Sequence, residues 1–223
     1  MAVADVKSRA RRKISKLAIL EAALKLFADE GEAGFSIRKL AMVIGVDPMT
    51  ILHHFQSKDG LLRAIAAQAI QSIDVPVATA SWQNDLRTVA EAYRELARQN
   101  PRIFHLHFRY YSTSPTDHIE GELVYSAMRR AGLSDRDAVG LGLAFYAFVL
   151  GFALAEAEGL LRPISDDDAA ELDALDPVEF KTTRELVPSL KALDPAEAFA
   201  AATTAFIDGI CDLARREPPK SLA

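Results

Sequence analysis

One cysteine, Cys211, stands in 223 residues, so no disulfide can close within the chain. With an N-terminus that lacks the pattern of a secretory leader, this fits a reducing cytoplasm. The most apolar run, VGLGLAFYAFVLGFALA at 139–155, stops at 17 residues, short of the ~20 that span a bilayer, and its flanks carry no positive bias. It predicts a buried helix, and no membrane partner is expected. No phosphate-cradling glycine loop, nucleophile–base pair or spaced set of metal ligands occurs, which argues against an enzyme and leaves no cofactor or metal to expect. Runs of alternating β-branched residues are missing as well, and an all-α fold is what remains.

What is present is an ordinary globular composition, half apolar and 26% charged. The length allows one domain or two unequal ones. The formal charge of −5 hides an asymmetry. Residues 1–60 hold 10 Lys/Arg against 7 Asp/Glu (+3), and residues 61–223 hold 16 against 24 (−8). The positive part opens with Lys7, Arg9, Arg11, Arg12, Lys13 and Lys16, the footprint of a partner that carries phosphates. A solvated basic tail is the plainer reading of the same run.

Apolar spacing predicts a helix over about 15–30, with Leu17, Leu20, Ala23, Leu24 and Phe27 on one face and Gly31 closing it. A short second helix runs from an N-cap at Ser36 to Ile44, with Leu40, Val43 and Ile44 as its stripe, and Gly45 ends it. Asp47 caps a third helix with Pro48 at its first position, and a fourth begins near Lys58 and reaches about Ile73. Longer helices follow at 82–99, through RIFHLHFRYY, at 118–132, at 135–158 behind a capping box of Ser134 and Asp137, and at 195–216. The acidic stretch 159–193, broken by Pro163, Pro177 and Pro188, reads as a loop with one or two short helices. The implied organisation is an unstructured basic arm at 1–13, a domain of short helices at 14–60, a connecting helix at 61–75, a larger domain at 76–216 and a tail at 217–223.

The two short helices fit a helix-turn-helix. Such a pair needs a small residue where the helices cross, a turn residue at ease with positive φ, and a buried aliphatic in the second helix. Ala41, Gly45 and Ile51 meet these needs. If Ile51 and Phe55 point inward, then Thr50, His53 and His54 share the opposite side with Pro48 and Met49 near the helix start. The adjacent histidines point about 100° apart, whereas two metal ligands on one helix sit three or four residues apart, so a metal site is not expected.

Over GFSIRKLAMVIGVDPMTILHHFQSKDGLLRAI, residues 34–65, the sequence resembles the DNA-binding domain of the tetracycline-repressor (TetR/AcrR) family of bacterial transcription regulators. The matching positions are Ser36, Ala41, Gly45-Val46, His54-Phe55, Ser57-Lys58 and Leu61-Leu62. The pieces at 81–97, 148–158, 187–193 and 194–210 resemble the C-terminal regulatory domain of the tetracycline-repressor subgroup. The resemblance implies double-stranded operator DNA as partner, contacted through Ser36, Arg38, Pro48, Met49, Thr50, His53, His54 and Lys58, with Arg38 reading a guanine. Leu52 stands where the subgroup carries a phosphate-binding Tyr. A homodimer is implied through the helices near 135–158 and 195–216, where Gly140, Gly142 and Gly151 suit close approach.

The resemblance also implies a small apolar or aromatic effector, with Tyr93, Phe104, His107, Phe108, Tyr111, Tyr125, Met128, Phe145 and Phe148 as candidate contacts. His107 aligns with a histidine that coordinates the magnesium of bound tetracycline in the subgroup, yet Val89 replaces an expected amide, so tetracycline itself is not the expected ligand. A repressor released by its effector is the leading expectation. An activator or effector-independent regulator shares the same DNA chemistry, and an all-α carrier or enzyme would leave the basic run unexplained.

Overall fold

The computed structural model describes residues 14–71, 77–110 and 115–216, and among them there are twelve helices and no strand. The basic arm at 1–13, the last residues of the connecting helix from 72 on, the candidate Tyr111 and the tail at 217–223 lie outside the described residues, as does the side chain of Phe108. The chain divides into two compact units after Ile65.

The first unit contains α1 (Lys16–Gly34), α2 (Ile37–Ile44), α3 (Pro48–Phe55) and the start of α4 (Lys58–Gln71). Ser15 opens α1 by accepting the Ala18 amide at 3.1 Å. The buried face of α1 is Ile19, Ala23, Leu26 and Phe27, which corrects the expected one: Leu17 is 58% exposed, and Leu20 and Leu24 are only half-buried. Phe27, common to the expected and the observed face, meets the buried Phe35 ring edge to face at 5.4 Å. Gly31 does break the helix, at φ 67° and ψ −175°, but helical geometry resumes to Gly34. In α2 the buried residues are Leu40 and Ala41, and Val43, expected in the stripe, is 60% exposed.

The second unit contains α5 (Trp82–Gln99), α6 (Pro101–Arg109), α7 (Pro115–Arg130), α8 (Asp135–Ala157), α9 (Asp166–Asp173), α10 (Lys181–Glu185), α11 (Val187–Lys191) and α12 (Pro195–Arg216). Its core joins Leu86, Val89, Tyr93, Phe104, Val124, Met128, Phe145, Val149, Phe199 and Ile207 from the five longer helices. The stretch expected as a loop with one or two short helices holds three. Ser165 and Asp168 form a capping box that starts α9, and the Arg184 guanidinium donates to the carbonyls of Asp173 and Leu175, closing the turn. Short polar bonds, not apolar periodicity, shape this segment.

Gly142 is also corrected as a site of approach between chains. A Cβ there would come within 2.7 Å of the Tyr125 ring, so its smallness serves packing of α7 on α8 within one chain. At Gly140 and Gly151 the same position is open space.

Asp85 sits buried at the start of α5 and holds the preceding strand of chain. It accepts from the Thr79 amide at 3.0 Å, the Thr79 hydroxyl at 2.7 Å and Arg130 of α7 at 2.5 Å. Burial pushes its pKa up, but the hydrogen bonds from Arg130 and Thr79 together outweigh it and leave it below the usual carboxylate value. With the folded value depressed, the stabilisation is complete above the ordinary carboxylate range and is lost as pH falls through the folded value. Asp85→Asn is therefore expected to lose about 1–2 kcal/mol at pH 7, by weakening the hydrogen bonds from Arg130 and Thr79, and the gap to wild type should narrow toward pH 3 in urea unfolding. A gap that stays constant with pH would show that the charge does not matter.

Candidate nucleic-acid interface

Local chemistry dictates the turn between α2 and α3. Ser36 caps α2 by accepting the Lys39 amide at 3.1 Å. Gly45 ends it in the left-handed region, at φ 69° and ψ 36°, and the Val46 amide donates back to the Ala41 carbonyl at 3.0 Å. Asp47 then accepts the Met49 amide at 2.8 Å, with Pro48 at the first helical position, where its missing N–H costs nothing. Ala41, Ile51 and Phe55 are buried, so α2 and α3 cross closely on their small and aliphatic faces.

Two parts of this frame escaped sequence reasoning. Gln56 closes α3 at φ 67°, unusual for a residue with a Cβ, and its amide donates to the Leu52 carbonyl at 2.6 Å. Gly60 lies against the end of α3, where a Cβ would sit 2.2 Å from the Phe55 carbonyl oxygen. The only signal for the latter was a glycine inside a helical pattern, and such a glycine marks close backbone approach.

The face of α3 turned away from Ile51 is open. Met49 is 67% exposed, His53 is exposed, and Pro48, Thr50 and His54 are half-buried. The two imidazoles stand edge to face, 5.7 Å apart. An open concavity of about 1140 Å³ is lined by Ile14, Ser15 and Ala18 from the start of α1, by residues 44–47 of the turn, and by Met49, Thr50, His53 and His54. Arg38, Ser36 and Lys58 are exposed but lie outside this lining, and Lys58 sits 5.9 Å over the Phe35 ring. Leu52 is half-buried and does not line the concavity. Among the described residues no group of three or more His, Cys, Asp and Glu is placed to hold a metal.

In the second unit the candidate effector residues fall into separate groups. Tyr93 and Phe104 bracket the buried His107, with ring centroids 5.5 and 6.2 Å away, and Tyr146 meets Tyr93 edge to face at 5.8 Å. The Tyr93 hydroxyl donates to the carboxylate of Glu120, itself buried. Glu120 and Tyr146 were not anticipated. The signal was a carboxylate in register with Leu123, Val124 and Ala127 on one stripe of α7. Phe145 and Phe148 instead join an apolar cluster with Phe199 and Phe206 of α12. Met128 lies in the core, and Tyr125, half-buried, lines a shallow hollow of about 370 Å³ with Glu122, Ser126, Arg129 and Arg130.

A capped helix pair crossing through a left-handed glycine, with an open polar and thioether face on the second helix, defines a helix-turn-helix. Comparison with known proteins agrees. Residues 19–65 match the family of bacterial regulatory proteins described as tetR, and residues 75–213 match the tetracyclin repressor-like C-terminal domain. The class D tetracycline repressor of Escherichia coli is 28% identical over 202 residues, 88% of this chain and 89% of that protein. In fold, apo ActR from Streptomyces coelicolor is similar at a TM-score of 0.80, with 20% identity over 92% of this chain and 98% of its own. A putative transcriptional regulator from Streptomyces coelicolor A3(2) is similar at 0.72, with 27% identity over 91% and 99% of the two chains. The chain belongs to the tetR family of transcriptional regulators and is a DNA-binding protein, not an enzyme.

The two glycines of the first unit are expected to differ when substituted. Gly45→Ala meets no neighbour and carries only the left-handed penalty, about 1 kcal/mol. Gly60→Ala drives a methyl into a backbone carbonyl and should cost more, so its thermal unfolding and DNA binding should both suffer further than those of Gly45→Ala.

Proposed function

We propose that the protein is a homodimeric repressor that holds a palindromic operator through two copies of α3 and releases it when a small apolar or aromatic effector binds the second unit. The carrying observation is α8. It is apolar enough along its length to cross a membrane, yet only 39% of its apolar stretch is buried within the chain. A helix without a polar face needs cover on all sides. Its uncovered residues are Val139, Gly140, Leu143, Ala144, Ala147 and Gly151, and α12 exposes Ala201, Ala205, Gly209 and Leu213. Small residues on two long helices suit a two-fold bundle with a second copy. Two-fold symmetry then implies two reading helices about 34–36 Å apart, one DNA turn.

The effector reading rests on the Tyr93, Phe104 and His107 group with Tyr146 and Glu120, an apolar aromatic setting that offers a few polar groups. ActR has been crystallised in complex with actinorhodin, which supports a bound small molecule for a chain of this fold. Such a ligand releases DNA only to the extent that it binds the non-reading conformation better. The protein acts where its operator is, in the cytoplasm.

Leu143→Glu is expected to shift the protein toward monomer in analytical ultracentrifugation and to abolish operator binding, whereas a dimer that tolerates it would reject α8 as the interface. Arg38→Ala and Thr50→Ala should each lower affinity for sites selected from random DNA by roughly 5- to 100-fold, with little effect on non-specific DNA. Equal losses on both would remove these residues as readers.

A further inference from the structure

The reading face of α3 has a peculiar chemistry. Along Pro48–Phe55 there is no Arg, Lys, Asn, Gln, Asp or Glu. The helix therefore lacks the Arg, Lys, Asn and Gln side chains that grip guanine or adenine by two hydrogen bonds, and the carboxylates that accept from cytosine. The Asp47 carboxylate just before it is engaged by the Met49 amide. What the first turn offers to the concavity is Met49, 67% exposed, with Thr50 next to it and His53 and His54 one turn on. A thioether chain gains nothing from phosphate oxygens or from the polar edges of bases. The major groove displays one apolar group, the C5 methyl of thymine.

We propose that Met49, with the Thr50 methyl beside it, makes α3 a reader of thymine methyl groups. Each half-site then carries thymine beneath the first turn of α3, and its guanine contact comes from Arg38 on the exposed side of α2 rather than from α3. The inference rests on α3 being the DNA-reading helix, and it specifies what that helix reads. Because 5-methylcytosine places the same methyl at the same position, it substitutes for thymine there in part, which unmethylated cytosine does not.

The test uses the full-length chain. Binding sites are selected from random DNA, and the strongest is resynthesised with deoxyuridine in place of each thymine in turn, which removes one methyl and leaves every hydrogen-bonding group. At one thymine or more per half-site, wild type is expected to weaken about fourfold, the value of one buried methyl. Met49→Ala should bind the thymine and uracil sites alike. Its fold is checked by circular dichroism, and Met49→Gln serves as a second variant, expected to shift selection at that position from thymine toward adenine. Thymine-methyl reading is overturned if wild type ignores every uracil, or if Met49→Ala keeps the full sensitivity. Failure to select any site is a different result: it rejects α3 as a DNA reader before any methyl is removed.

Discussion

The close crossing of α2 and α3 is the constraint on which the first unit depends. Leu40 and Ile51 are fully buried, and Ala41 is small enough to let the two backbones approach. Once Ile51 and Phe55 occupy the inner side, the geometry of a helix leaves Met49, Thr50, His53 and His54 nowhere to go but outward. The glycine turn and the aspartate cap hold the crossing in place by local hydrogen bonds, each worth only about 1 kcal/mol, and the proline start by its fixed φ. Their value is positional: a helix of eight residues would not be stable alone, and it keeps its direction because both ends are pinned. Lys16, 5.3 Å over the Phe55 ring, adds a cation to the same closed core.

In the second unit the comparable role falls to buried ion pairs. Arg94 of α5 donates through Nε and Nη2 to both carboxylate oxygens of Glu156 on α8, at 2.6 and 2.8 Å, and lies 5.3 Å from the Phe199 ring of α12. The hydrogen bonds it donates to Glu156 raise the arginine's pKa further, so it stays charged despite burial. Desolvation cancels much of the gain of such a pair, so its contribution is less in stability than in fixing three helices against one another. A fork binding a fork tolerates little sliding, and α5 and α8 carry Tyr93 and Tyr146, the edge-to-face pair at the centre of the polar aromatic group.

Helix ends and the turn were legible because each rests on a local rule: Ser36, Gly45, Asp47, Pro48 and Ser134 cap or break helices by chemistry contained within four residues. The wheel of α3 was legible for the same reason. What escaped was decided by tertiary contact. On α1 the apolar residues of the two candidate faces stand two positions apart, and burial falls on Ile19 and Leu26 rather than on Leu17 and Leu24, a choice that packing makes and periodicity does not. Gly142 looked like its neighbours Gly140 and Gly151 until Tyr125 was found against it. Glu120 shares a stripe of α7 with Leu123, Val124 and Ala127, but nothing in sequence shows that this stripe faces Tyr93. The aromatic candidates do not form one group, because the helices divide them: Phe145 and Phe148 meet rings of α12, whereas Tyr93 meets His107 of α6.

α8 ties these observations together. Its inner side supplies Tyr146 to the polar aromatic group and Phe145 to the apolar one, while its outer side is a strip of Val, Leu, Ala and Gly with no polar residue among Val139, Gly140, Leu143, Ala144, Ala147 and Gly151. A single helix therefore forms the wall of the proposed effector site and the proposed contact with a second copy. Interiors are close-packed, so a ligand that parts Tyr93 from Tyr146 must displace side chains on α8 rather than fill slack beside it. The Arg94–Glu156 fork limits how that helix can yield, because sliding along α5 would break two charged hydrogen bonds. In this arrangement a coupling between ligand and dimer geometry needs no chain of intermediaries, only two faces of one rigid element.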